Sequence, residues 1–427
     1  MQPALVTWTF AAVLLASMFT RLWLATRQMR HVAHHRDLVP AAFAGTVKPE
    51  AHRKAADYTL AKGRLSLLSM AFGAAVLLGW TLLGGLDALN GALRDTLQPR
   101  WGDMAYQLAL LAAFTVISGL IDLPFEWYST FRVEQRFGFN RMTTRLWIAD
   151  NLKGALVGAL IGLPLAALVL WIMASSGGLW WIWAWVAWVA FNLLLLVIYP
   201  TLIAPIFNKF QPLADESLEG RVQALMARCG FAAKGLFVMD GSRRSAHANA
   251  YFTGLGASKR VVFFDTLLSR LDPEEVEAVL AHELGHFRRR HVIKRMVTIF
   301  GISLAGLALL GWLAGQSGFY AGLGVQPNLS APNDALALLL FMLALPPFAF
   351  FVSPLMAAVS RRHEFEADAY ACAQADGRAL ASALLKLHED NAATLTPDPL
   401  YVRFYYSHPP ASERLAALPA PSRTAAA

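Results

Sequence analysis

The chain has 427 residues, of which 56 % are apolar and only 15 % charged, against a usual quarter. That balance, with the apolar residues gathered in long blocks, excludes an ordinary soluble protein, and just two cysteines, Cys229 and Cys372, exclude a disulfide framework. The net charge of +8 comes without any nucleic-acid-binding module, so it is read as Lys and Arg collected on one side of a membrane, and no nucleic-acid partner is expected.

Seven stretches reach the roughly 20 apolar residues that a crossing helix needs: 4–25, 66–86, 105–125, 155–175, 179–203, 293–314 and 335–357. The first has no basic residue ahead of it and many behind it, so it reads as an anchor with its N-terminus outside rather than a cleaved leader. Basic content then alternates. The segment from Arg21 to Arg64 carries nine Lys/Arg and the loop 88–104 only Arg94 and Arg100. The loop 126–153 carries Arg132, Arg136, Arg141, Arg145 and Lys153, and the loop 315–334 none. By the positive-inside rule the basic segments are cytoplasmic, and so are the polar segment 204–292 and the tail 358–427. Asp122 and Glu126, at the end of the third stretch, fit a wet interior or an ordinary helix interface equally well.

Within 204–292, residues 216–230 have the spacing of a short amphipathic helix stopped at Gly230. "GLFVMD" (235–240) and "RVVFFD" (260–265) read as strands with "HANAYFTGLGASK" as strand and turn between them, so a small antiparallel sheet is expected. The final "PAPSRTAAA" reads as disordered.

"LDPEEVEAVLAHELGHF" (271–287) follows. Asp272 is a candidate N-cap, Pro273 suits the first helical position, and Glu275 completes a capping box. His282 and His286 stand four apart, on one helical face, where two imidazoles can grip one metal ion. Glu283 points about 100° away, beside the ion rather than at it, as a general base for water would. Gly285 leaves room for a neighbouring helix. His291 is rejected as a third ligand, because the metzincin spacing needs Gly and His where Arg289 and Val292 stand. "SRRHEFEADAYA" (360–371) is the better source. Glu364 can ligate zinc, and Asp368, one turn on, can accept the free N–H of a ligand histidine. Glu366 faces away and receives no role.

This HExxH with a downstream "EFEAD", together with seven spans, resembles the integral-membrane type I CAAX prenyl endopeptidases, a gluzincin subgroup. "FRVEQRFGFNR" (131–141), "YPTLIAPIFNKFQPL" (199–213), "HANAYFTG" (247–254) and "YYSHPPASERL" (405–415) extend the resemblance over about residues 60–415. It implies one Zn²⁺ held by His282, His286 and Glu364, with Glu283 activating water. It also implies that Asn249 and His408 contact the peptide and stabilise the oxyanion, with Arg414 in the same polar group. The site would open into a large chamber within the helices, and the edge strand "NAYFTG" would pair with an extended substrate.

The expected fold is an all-α polytopic membrane protein of seven transmembrane helices with a small α+β zinc metalloprotease domain on the cytoplasmic side. It divides as 1–203 (helices 1–5), 204–292 (metalloprotease segment), 293–357 (helices 6–7) and 358–420 (tail). The expected partners are the lipid bilayer and a peptide or protein substrate, prenylated at its C-terminus in the CAAX reading. The Ala-, Trp- and Arg-rich composition points to a bacterial inner membrane. The alternatives are a membrane-protein quality-control protease and, in another class, a transporter or peptide-binding scaffold. No inverted repeat supports a transporter.

Overall fold

The computed structural model describes residues 1–231, 235–253 and 260–418. Among the described residues, six helices are long and apolar enough to cross a membrane: Pro3–His34, Pro49–Trp80, Gly85–Phe137, Thr144–Ser175, Gly177–Phe207 and His291–Ala314. Asp334–Ala349 and Ser353–Gln374, bent by 66° at a short break, pass the same test only when taken together, and counted as one broken span they bring the number to seven. The expected turn at 254–259 and the terminal 419–427 lie outside the described residues.

Several helices outrun their apolar stretches. Pro3–His34 has 32 residues, about 48 Å of helix against a hydrocarbon core of about 30 Å. It therefore carries Arg21, Arg27 and Arg30 out of the bilayer as helix, not loop. The segment 88–104, expected as a loop, is also helical. It belongs to Gly85–Tyr128 and is broken only at Gly102, whose φ of 79° and ψ of 179° follow Pro99 by one turn. The second span ends at Trp80, short of the expected 86, because Gly84 takes a left-handed φ of 80° and starts the third helix. Backbone hydrogen bonding continues through polar side chains, so hydropathy marks the membrane-buried part of a helix and not its ends. Trp8, Phe19, Leu120, Leu160 and Ile302 are exposed along the spans, a surface that suits lipid rather than water. Asp122 and Glu126 are exposed on the third span and have no ion pair among the described residues.

A sheet sits beside the helices. Its strands are β1 (Phe210–Pro212), β2 (Leu236–Met239), β3 (Ala250–Thr253) and β4 (Arg260–Phe264), in the order β1-β2-β4-β3. The expected antiparallel arrangement is corrected: β2 and β4 pair parallel, while β1–β2 and β3–β4 are antiparallel. The chain crosses over between β2 and β3 through the turn Gly241–Arg243, which leaves β3 to return as a hairpin on the outside of β4. β3 is thus an edge strand.

The sheet packs through Phe263 and Val261 onto a core with Val222, Leu225, Leu267 and Leu284. This core joins the amphipathic helix Glu216–Arg228, capped by Asp215, to the motif helix Pro273–Arg288. A second core, with Leu86, Tyr106, Leu170, Leu310 and Leu336, binds the opposite ends of the spans.

Candidate active site

The motif helix starts where its sequence dictates. The Asp272 N–H donates to Glu275 Oε2 at 2.8 Å, and the reciprocal half of the capping box is present. Glu275 also accepts from Ser382 Oγ at 2.6 Å and Lys386 Nζ at 2.8 Å, which ties the helix start to the helix Gly377–Asp390. Ten residues on, the motif helix meets Ser353–Gln374 so closely that a Cβ on Gly285 would lie 2.9 Å from the Ala367 Cα. Glycine at this position sets the approach that brings the tail carboxylates to the histidines.

His282 Nε2 and His286 Nε2 are 3.2 Å apart. Glu364 Oε2 lies 3.4 Å from His282 Nε2, and Glu364 Oε1 lies 3.4 Å from His286 Nε2. A tetrahedral zinc ion with bonds of about 2.0–2.1 Å separates its ligand atoms by about 3.3 Å, and the imidazole pair and the contact of each imidazole with its nearer carboxylate oxygen are close to that separation. Glu364 Oε2 is buried without a hydrogen-bond partner, as an oxygen reserved for a cation would be. The donor set fits zinc. Burial opposes the charge on Glu364, but the flanking His282 and His286 outweigh it and hold the carboxyl well below its usual range. Burial likewise lowers His282, yet Asp368 and Glu364 overcome it and push the imidazole up to about 9. The pocket is built to hold positive charge.

Asp368 Oδ1 meets His282 Nδ1 at 2.8 Å. Arg414 clamps Asp368 from behind, Nε to Oδ2 at 2.8 Å and Nη2 to Oδ1 at 2.5 Å, and its Nη1 lies 3.7 Å from Glu364 Oε2. Arg414, Asp368 and Glu364 are all buried. Glu283 is half-buried, and Asn249 is exposed at the start of β3. Asn249 Oδ1 accepts from the Ala250 N–H at 2.8 Å, and its side-chain amide N–H has no partner among the described residues. His408 has its Nε2 3.4 Å from Glu364 Oε1 and its Nδ1 2.9 Å from Ser407 Oγ. All eight residues singled out from the sequence therefore converge on one place.

Two cavities meet there. One of about 720 Å³ runs between Asn249, Tyr58, Lys62 and Arg414, and the other, of about 1210 Å³, between Ile299, Met342, Leu345 and Phe350. Both are lined by Glu283, His286, Glu364 and His408.

Sequence reasoning missed a second support for the histidines. His291 is buried, with Nδ1 3.0 Å from His286 Nδ1 and Nε2 3.1 Å from Glu366 Oε2. Its ring stacks on His363 at 3.9 Å. His291 lies outside the candidate group of His282, His286 and Glu364, yet it stands behind His286, and Glu366 stands behind it. The only trace in the sequence is a histidine five residues after His286. Arg290, at a left-handed φ of 55°, breaks the helix between them and spoils any inference from helical spacing. Tyr58, Glu134 and His247 form another unforeseen group. Tyr58 donates to Glu134 Oε1 at 2.5 Å and His247 Nε2 lies 3.5 Å from Glu134 Oε2, while His247 stacks on Phe139. They fasten the start of β3 to the segment that follows the third span.

Comparison with known proteins matches this arrangement. Residues 28–209 match the family described as CAAX prenyl protease N-terminal, five membrane helices, and residues 212–422 match peptidase family M48. A CAAX prenyl protease 1 homolog of Arabidopsis thaliana is 34 % identical over 89 % of this chain and 90 % of its own. CAAX prenyl protease 1 of Saccharomyces cerevisiae is 33 % identical, over 89 % and 88 %. The crystal structure of S. mikatae Ste24p superposes with a TM-score of 0.89 at 31 % identity, covering 97 % of this chain and 99 % of that one. Fold and family together define a multi-pass membrane metalloendopeptidase. More narrowly, the chain belongs to the CAAX prenyl protease family within the M48 peptidases.

Proposed function

We propose that the chain is a zinc endopeptidase that cuts peptides at the cytoplasmic face of a bacterial inner membrane, with CAAX-type C-terminal processing as its activity. The observation that carries the reading is the cluster of His282, His286 and Glu364, in which the two Nε2 atoms are 3.2 Å apart and each lies 3.4 Å from its own oxygen of the Glu364 carboxylate, placed where two cavities meet. The nine Lys/Arg between Arg21 and Arg64 support the cytoplasmic side, and composition alone supports the bacterial membrane.

In this reading His282, His286 and Glu364 hold zinc, which when bound supplies Lewis acidity to the scissile carbonyl and to water. Glu283 takes the proton from the attacking water and passes it to the leaving amine. The free amide N–H of Asn249 and the His408 imidazole donate to the oxygen on which negative charge develops. The outer edge of β3 pairs with the substrate backbone, so much of the side-chain sequence goes unread. Asp368 accepts from His282 Nδ1–H, keeping Nε2 free as a ligand, and Arg414 holds Asp368 in place. The cavity of about 1210 Å³, with walls from the sixth and seventh spans, suits an isoprenoid, while the peptide lies in the cavity beside β3. A substrate occupying both would carry its scissile bond past Glu283.

The test compares wild type and Glu283→Gln, both loaded with zinc, on a farnesylated CAAX peptide and its unprenylated counterpart. Wild type is expected to cleave the farnesylated peptide, and the variant to lose about 10²–10⁴-fold in rate. Equal cleavage by both proteins would remove Glu283 from the mechanism. Equal cleavage of both peptides by wild type would move the assignment to a quality-control protease.

A further inference from the structure

We propose that a cleft between the second and third spans, apart from the active site, holds an anionic phospholipid by its phosphate. The cleft has a volume of about 440 Å³. Leu65, Leu68, Phe125 and Val133 give it an apolar floor, and Arg64, Arg132 and Arg136 line its rim. Arg64 lies on Pro49–Trp80, just before that helix becomes continuously apolar. Arg132 sits in the π-helical turn Ser129–Glu134 and Arg136 just beyond it. Arg132 and Arg136 stand four residues apart along this helical stretch, a spacing that puts both on one face, toward the cleft.

The charges here are unbalanced. Several arginines on this side of the molecule have carboxylate partners, Arg36 with Asp57, Arg53 with Asp37, Arg27 with Asp398 and Arg244 with Asp150, while others, such as Arg30, Arg141 and Arg145, have none among the described residues but border no shared cleft with an apolar floor. Among the described residues, none of the three cleft arginines forms an ion pair or hydrogen bond. Arg132 and Arg136 lie instead against the rings of Trp127 and Phe137, at 5.7 Å and 5.5 Å. Nearby carboxylates are already engaged, Asp57 by Arg36 and Glu134 by Tyr58 and His247. Three guanidinium groups thus border one cleft without an ion pair among the described residues, and the carboxylate that feels Arg136, Asp57, is already paired with Arg36.

Charge and floor together select the ligand. Guanidinium forks match phosphate oxygens bidentately. A small inorganic anion would leave the apolar floor uncovered, whereas a phosphodiester headgroup with acyl chains covers both. Tyr128, exposed on the wall of the cleft, is the kind of amphipathic ring that marks the level of lipid headgroups. Basic pockets between spans at this level are where anionic headgroups bind. Such a lipid would bridge the second span to the π turn, close to the contact between Tyr58 and Glu134 that anchors β3.

The experiment is native mass spectrometry of the full-length protein titrated separately with phosphatidylglycerol and phosphatidylcholine. Wild type is expected to retain one phosphatidylglycerol at least tenfold more tightly than phosphatidylcholine. The triple variant Arg64→Gln, Arg132→Gln, Arg136→Gln is expected to lose that preference while keeping the melting temperature of lipid-free wild type. The corresponding triple Lys variant, which keeps the charges, is expected to retain part of it. Removing an equal charge elsewhere, with Arg288→Gln, Arg289→Gln and Arg290→Gln, is expected to leave retention unchanged. Equal retention by wild type and the Gln cleft variant, or an equal loss in the Arg288–290 control, would overturn the site. Displacement of the lipid by inorganic phosphate at the same concentration would overturn the lipid as its ligand.

Discussion

Glu364 is a buried carboxylate with an imidazole 3.4 Å from each of its oxygens and one oxygen left without a hydrogen-bond partner among the described residues, and this is the local signature of the candidate metal site. Glu364 and Asp368 were legible in the sequence because a four-residue spacing on a helix fixes a shared face whatever the fold. His291 and the clamp of Arg414 on Asp368 were not, since each depends on how separate helices come together. The role of His291 can be measured without assaying proteolysis. His291→Phe keeps a ring to stack on His363 but removes the acceptor facing His286 Nδ1. Zinc affinity, read by chelator competition, is expected to fall about 10–100-fold. An unchanged affinity would leave His291 a packing residue.

Among the elements, the motif helix was the most legible, its N-cap, proline and capping box lying where local chemistry put them. The sheet was half legible. Short runs rich in Val and Phe revealed β2 and β4, but a parallel pairing depends on a crossover that no local pattern encodes. The contact between the motif helix and Ser353–Gln374 turns on Gly285. Alanine there gains about 1 kcal/mol in helix propensity and loses about 1–3 kcal/mol by pressing on backbone that cannot yield. Gly285→Ala is therefore expected to lower the melting temperature in detergent and to weaken zinc binding as the two helices part. A further junction joins the first helix to the tail. There buried Asp398 accepts from Arg27 Nε at 2.8 Å and caps Pro399–Tyr405. Burial would raise its carboxyl, but the Tyr401 N–H and Arg27 outweigh that and hold it low. A lowered carboxyl contributes stability above its unfolded value of about 3.9 that is lost as pH falls through the folded value. Melting temperature should thus drop below about pH 4, and Asp398→Asn, which keeps the cap but loses the ion pair with half-exposed Arg27, should flatten that part of the profile while costing about 0.2–1 kcal/mol at neutral pH.

For the whole molecule, the number and order of spans followed from hydropathy, and alternating basic loops gave a sidedness that the folded chain accommodates, since the motif and the tail meet on one side. The two cavities were beyond reach, because a cavity is the space left between elements whose packing angles no sequence pattern records. Their proposed division of labour has a direct test. Leu345→Trp narrows the cavity between the sixth and seventh spans without touching the zinc ligands. It is expected to reduce kcat/KM about tenfold or more on a farnesylated peptide and to leave an unprenylated peptide unaffected. Equal losses on both would place the lipid elsewhere.

The elbow in the seventh span sets a distance. Glu364 lies eleven residues past Ser353, about 16 Å along a helix. Because the limb carrying it turns by 66°, its advance along the direction of the preceding limb is only about 7 Å. That is the span of about two extended residues. The bend thus holds the Glu364 carboxylate close beyond the end of the preceding limb, where a straight helix would have carried it the full length of about 16 Å.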